Sequence, residues 1–200
     1  MSQAEELERK AMEVHERLLD HYGEPQQKEQ RDPLDELIVT ILSQNTNDTN
    51  SGRAYRSLRE TFPTYQTMAD ADTDEVADAI RVGGLANMKA PRIQEILHQL
   101  EEERDEYSLG FLDDMDVDEA RDYLLDLPGV GPKTAACVLL FSLHKPALPV
   151  DTHVHRVALR VGLLPEGASA EKAHGLLKDL LPTRTYYPFH LNMIRHGRTL

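Results

Sequence analysis

Leu127-Pro128-Gly129-Val130-Gly131-Pro132-Lys133-Thr134-Ala135 sets two prolines and two glycines among five consecutive positions, between two apolar stretches. Proline fixes φ, and glycine permits backbone angles and close approaches that a side chain forbids, so the Leu-Pro-Gly-Val-Gly run reads as a tight turn. Upstream, Ala120, Tyr123, Leu124 and Leu127 share one side of a helix spanning about 118–126. Downstream, Pro132 suits the first position of a helix that runs through Ala135, Ala136, Cys137, Val138, Leu139, Leu140 and Phe141 to about 142. The stretch therefore encodes two well-buried helices joined by a hairpin.

Such a turn leaves the N–H groups of Gly129, Gly131 and the first helical turn without intrahelical partners, and an anion can satisfy them. A diester phosphate is anionic and recurs along every strand, and contacts of this kind position a protein on DNA without reading bases. Taken alone, the glycines fit a plain helix-turn-helix corner equally well. Lys133 adds chemistry. It sits in the first turn of its helix, where the dipole and free amides disfavour a second positive charge, and a neutral amine is a nucleophile for carbon. An exposed lysine supporting a phosphate contact is the alternative use of the same position.

Pro149-Val150-Asp151-Thr152-His153 supplies a carboxylate at the start of a further helix containing Val154, Val157, Ala158 and Val161. Asp151 fits an N-cap accepting from amides near His153 or Val154. Capping alone accounts for an aspartate here, and a cap also holds a charge in one pose, where it can stabilise a developing cationic sugar.

Outward from these motifs the pattern is helical throughout. The expected helices span about 4–21, 34–43, 49–62, 73–81, 91–103, 118–126, 132–142, 153–161, 169–180 and 187–197, and strand-like alternation is almost absent. Gly83-Gly84 breaks one helix and Pro91 opens the next, which leaves Lys89 on the connection with Arg92 nearby, as a phosphate contact or an ordinary solvated lysine. The fold class is all-α.

A formal charge of −13 disfavours a generic nucleic-acid binder, which uses positive potential. Its distribution softens the objection: residues 1–120 carry −17 and residues 121–200 carry +4, with ten acidic groups between Glu101 and Glu119 on an expected solvated face. Arg156, Arg160, Arg184, Arg195 and Arg198 are candidates for DNA contacts or for salt bridges at the core rim. The histidines are too scattered for a metal site, and the sole cysteine, Cys137, falls in an apolar helix as a buried thiol. With no disulfide pair and no secretory or membrane-spanning run, a cytoplasmic protein is expected.

The pairing of Leu127–Thr134 with Val150-Asp151-Thr152-His153 closely resembles the endonuclease III branch of the helix-hairpin-helix DNA glycosylases. The resemblance extends to Ile41-Leu42-Ser43-Gln44-Asn45-Thr46-Asn47-Asp48, to Gly84-Leu85-Ala86-Asn87-Met88-Lys89-Ala90 and to His190–Arg198. It covers the chain from about Leu34 to Leu200. It implies two helical domains, residues 32–146 with the hairpin and residues 1–31 plus 147–200, with DNA meeting a cleft between them.

The resemblance also implies chemistry. A damaged nucleotide is flipped out of duplex DNA, Lys133 attacks C1′ and forms a Schiff base, Asp151 stabilises the charged intermediate, and elimination at C3′ cuts the strand. The expected enzyme is a bifunctional N-glycosylase and AP lyase acting on oxidised pyrimidines, the substrate class the resemblance to this branch implies; a monofunctional glycosylase and a noncatalytic helix-hairpin-helix DNA-binding protein are the alternatives. The expected partner is double-stranded DNA with a damaged base or abasic site, bound by a monomer through Gln44, Asn45, Lys89, Gly129, Val130, Gly131, Thr134 and His153. Either Gln44 or Asn45 fills the space left by the flipped nucleotide. Many relatives follow the segment resembling Ile194–Arg198 with four cysteines holding a [4Fe-4S] cluster. Residues 1–200 contain no such ligands, so either a cluster loop follows Leu200 or this member has none; the resemblance running to the end favours the first.

Overall fold

The computed structural model describes residues 2–26 and 30–199. Leu200, and any cluster loop expected after it, lies outside the described residues, as do Met1 and residues 27–29 of the amino-terminal segment. Among the described residues the chain is all-helical, with eleven α-helices, three 3-10 turns and no strand. It divides into two compact units, residues 31–143 and residues 1–30 with 144–200.

The larger unit is built around α2 (Pro33–Leu42) and α8 (Pro132–Phe141), which pack on each other. Asp32 caps α2 by accepting from the amides of Leu34 and Asp35, and Pro33 follows at the first helical position, where its missing N–H costs nothing. Leu34, Leu37, Ile38, Ile41 and Leu42 are each no more than 1% exposed, and each contributes about 1.5–3 kcal/mol by leaving water. From Thr134 to Leu140 α8 is buried on every face, as a helix apolar all round must be. Its amino-terminal end, with Pro132 exposed and Lys133 half-buried, reaches solvent, as Phe141 does in part at the other end.

Around this pair lie α3 (Asp48–Thr61), α4 (Tyr65–Ala69), α5 (Thr73–Ala79), α6 (Ala86–Arg104) and α7 (Val117–Asp126). Two features depart from the sequence-based expectation. The five-residue α4 is too short to show a period, and its capping box at Thr64 and Thr67 uses two threonines in place of the usual acidic partner. The second is α6, which starts at Ala86, not at Pro91. Leu85 takes a left-handed conformation (φ 52°) after Gly84 (φ 69°), so the chain reverses and enters the helix five residues earlier. Pro91 then sits inside the helix, removing one backbone bond near its start.

The smaller unit packs α11 (Tyr186–Thr199) against α1 (Gln3–Tyr22) and α9 (Thr152–Arg160), with α10 (Ala170–Leu180) alongside α1 and α9. Ala11, Leu18, Val154, Val157, Ala158, Phe189 and Met193 form its core. Helices α9 and α11 approach closely: a Cβ on Gly197 would lie 2.8 Å from the His153 Cβ.

Candidate active site

The hairpin between α7 and α8 is closed by the Val130 amide donating to the Leu127 carbonyl at 3.1 Å, and Val130 itself is only 6% exposed. Val130 thus anchors the turn, and its N–H is already spent. Gly129 has φ 69°, which an L side chain adopts only at a cost. A Cβ there would also stand 2.0 Å from Nε of Arg92, whose side chain lies across the turn. Gly131 is different: its φ is −102°, and a Cβ added to it would meet nothing within 4 Å. It is the N-cap of α8 and no side chain caps that helix, so the amides of its first turn face outward without such a partner.

Lys133 follows as the second residue of α8, half-buried. Nearby on α2 is Glu36, with a side chain 12% exposed that receives Arg31 Nη1 at 2.5 Å. Burial pushes the Glu36 carboxyl up, and Arg31, the Thr40 hydroxyl and the positive charge of Lys133 oppose that shift. Lys133 therefore shares its surroundings with a buried acid that the sequence did not single out. Thr134 is buried, 4% exposed, so its hydroxyl does not reach an outside partner.

The α2–α3 turn separates the two wedge candidates. Asn45 is exposed and left-handed (φ 54°), a conformation asparagine tolerates better than most residues. Gln44 is half-buried and its Oε1 accepts from Arg92 Nη1 at 3.4 Å. Asn47 caps α3 by accepting from the Asn50 amide.

Lys89 corrects an expectation. It is 2% exposed, and its Nζ donates to the carbonyls of Leu42 at 2.8 Å and Gly83 at 3.0 Å, so its ammonium is committed to protein, not open to a phosphate. Burial lowers its pKa. The cause is the early start of α6: with Ala86 as the first helical residue, Lys89 falls on the same buried stripe as Ala86, Ala90, Ile93 and Leu97. The same segment presents Val82, Leu85 and Met88 at 44, 45 and 58% exposure. Leu85 stands out because its backbone caps α6 with positive φ while its side chain is exposed and serves neither core nor cap; Gly83-Gly84 just before it was the available signal.

In the other unit, Asp151 is the N-cap of α9: its Oδ1 accepts from the Val154 amide at 2.7 Å, and its carboxylate is only partly covered. His153 is half-buried against α11, with Nδ1 3.2 Å from Arg156 Nη2. Arg156 also donates to the Gly197 carbonyl at 2.6 Å, and Arg195 donates to the Tyr22 carbonyl at 3.1 Å, so both guanidinium groups hold protein. A groove of about 490 Å³ in this unit, lined by Val14, Leu18, Tyr22, Val157, Met193 and His196 among others, contains none of the candidate residues. One unit thus carries the hairpin, Lys133, Gln44, Asn45 and Lys89; the other carries Asp151 and His153.

The residues present do not fit an iron-sulfur cluster. Thiolates are its usual ligands, and the chain has a single cysteine, Cys137, 3% exposed within α8. Among the described residues no three His, Cys, Asp or Glu side chains group as metal ligands. No helix among them is long and apolar enough to cross a membrane.

A model of the HhH-GPD superfamily of base excision DNA repair proteins matches residues 38–183. An Arabidopsis thaliana protein designated as a DNA glycosylase is 38% identical over 170 residues, which are 85% of this chain and 58% of that one. Endonuclease III of Thermotoga maritima is 36% identical over 176 residues, 88% of this chain and 78% of its own. The chain therefore spans little more than half of the plant relative. A solved non-covalent endonuclease III–DNA complex has a protein chain 26% identical to this one, with a TM-score of 0.82 over 99% of this chain and 87% of that one.

Proposed function

The chain belongs to the HhH-GPD superfamily of base excision DNA repair proteins, and from that premise we propose that it is an endonuclease III-like DNA glycosylase that also cleaves the abasic strand, with oxidised pyrimidines in duplex DNA as its substrates. The observation that carries the reading is Lys133: a half-buried lysine in the first turn of α8, directly after a hairpin whose terminal amides no side chain caps. Those amides suit a phosphate, and Lys133 then stands where an amine can reach a sugar on the same strand.

In this reading Asn45 enters the space of a flipped nucleotide, and Leu85 acts as an apolar wedge of the kind that unstacks base steps. The neutral Nζ of Lys133 forms a bond to C1′ as the C1′–N glycosidic bond breaks, and the departing base takes up a proton. The base takes one of the two amine protons, and the sugar ring opens as O4′ takes up a proton, which leaves a protonated C1′ imine retaining the other amine proton. Removal of a C2′ proton gives an enamine that expels the C3′ oxygen, so the C3′–O bond breaks and the downstream strand leaves with a 5′ phosphate. Asp151, fixed by its cap bond to the Val154 amide, serves as the counter-charge to the cationic sugar.

Borohydride reduction of a reaction with a thymine glycol duplex tests this. A covalent protein–DNA adduct that vanishes in Lys133→Ala is expected. Base release without any adduct would indicate a monofunctional glycosylase, and binding without base release a noncatalytic DNA-binding protein.

A further inference from the structure

The first turns of α6 hold three loops at once. Lys89 Nζ binds the carbonyl of Leu42, which ends α2, and the carbonyl of Gly83, which closes the turn before α6. One helical turn later, Arg92 Nη1 reaches Oε1 of Gln44, and the Arg92 side chain crosses the hairpin at Gly129, where only the absence of a Cβ makes room for it. The loops tied in this way are the one that exposes Asn45, the one that exposes Leu85 and the hairpin that leads into Lys133.

Stability alone does not call for this arrangement. Among the described residues neither cation has an ion-pair partner, and burying an ammonium costs several kcal/mol unless hydrogen bonds compensate it. A methionine would fill the Lys89 site without that cost. What a cation shared between two carbonyls provides is a fixed separation, since directional hydrogen bonds admit fewer arrangements than an apolar contact. Arg92 donates to Gln44 and packs its side chain against the hairpin at Gly129, which brings those two loops into one arrangement.

We infer that Lys89 and Arg92 are positioning residues that lock the α2–α3 turn, the turn before α6 and the hairpin into one insertion surface. Asn45, Leu85 and the phosphate-facing backbone then meet a duplex as a single rigid body. The inference rests on the proposed DNA chemistry, and it goes beyond it by separating opening the duplex from reacting with the sugar. The locked surface is needed where a nucleotide must be extruded from a base-paired stack. Single-stranded DNA presents its sugar without that step.

The test compares borohydride trapping of Arg92→Met on two DNAs: an abasic site in a duplex and the same abasic strand alone. Misplacing an insertion surface by about 1 Å is expected to lower the duplex yield on the order of ten- to a hundredfold while the single-strand yield falls far less. Arg92→Lys, which retains a donor for Gln44, is expected to recover part of the duplex yield. Equal losses on both DNAs with an unchanged melting temperature, or no loss on either, would overturn the inference. If Arg92→Met fails to fold, the duplex-to-single-strand ratio of Arg92→Lys decides by the same criterion. Should the unaltered chain form no adduct with either DNA, the lyase reading fails and binding decides instead. The insertion surface then predicts that Arg92→Met loses the preference for a duplex containing a tetrahydrofuran abasic analogue over its undamaged counterpart, and a retained preference contradicts it.

Discussion

Replacing each hairpin glycine by alanine separates what the fold needs from what DNA needs. At Gly129 the alanine would have to hold φ near 69°, which costs an L residue about 1–2 kcal/mol. Its Cβ would also displace Arg92, since the atoms would stand 2.0 Å apart, and the Arg92–Gln44 bond would be lost with it. That adds about 0.5–1.5 kcal/mol, so Gly129→Ala is expected to destabilise the protein by roughly 2–3 kcal/mol. At Gly131 neither penalty applies. The φ of −102° suits alanine, a Cβ meets nothing within 4 Å, and the modest loss of a glycine N-cap is offset by a stiffer unfolded chain, leaving a net change within about 1 kcal/mol. The open space over Gly131 is nonetheless where the proposed phosphate lies, so affinity for a duplex with a tetrahydrofuran abasic analogue is expected to fall about tenfold or more on adding that methyl group. Urea denaturation reports the stabilities, and fluorescence anisotropy with a labelled duplex reports the affinities. The reasoning is refuted if Gly131→Ala unfolds as readily as Gly129→Ala, or if it keeps both full stability and full affinity.

Asp151 admits a similar separation of roles: Asp151→Ala loses the cap to Val154 and about 1 kcal/mol in urea, whereas Asp151→Asn keeps an acceptor and most of the stability. Both are expected to slow single-turnover base release by on the order of a hundredfold, and full turnover in Asp151→Asn would reduce the residue to a cap. Lys89→Met strands two carbonyl acceptors but removes a buried charge, effects of opposite sign that leave a net change within about 1 kcal/mol at neutral pH. Its pH dependence has a definite sign. Burial lowers the pKa of Lys89 in the folded state, so between that value and the unfolded one near 10.4 the unfolded chain binds more protons and stability rises with pH. Urea midpoints of the two proteins should therefore diverge in favour of the unaltered one as pH rises through that window; parallel curves would show that burial does not govern this lysine.

The hairpin, the helix before it and the helix after it were legible because their signals are local: prolines and glycines at a turn, and an apolar stripe on either side. Asp151 was legible as a cap for the same reason, since the Val154 amide lies three residues away. What the sequence concealed depends on tertiary partners. The carbonyl of Leu42 lies 47 positions from Lys89, so nothing near Lys89 announces its burial. The start of α6 turned on a left-handed Leu85, a conformation no leucine advertises. Gln44 and Asn45 look alike as neighbouring amides until Arg92, from another helix, takes one and the backbone turns the other outward. Glu36 reads as one more acidic residue in the first turn of a helix until Arg31 and the packing of α8 on α2 enclose it.

The central claim is that one particular amine performs the chemistry. Borohydride-reduced complexes formed on an abasic duplex can be digested with protease and nuclease, and mass spectrometry then locates the sugar remnant on the chain. The account predicts a single modified peptide containing Pro132-Lys133-Thr134, with the added mass on Lys133. A remnant on Lys89, Lys145 or the amino terminus, or an adduct that survives in Lys133→Ala, would contradict it.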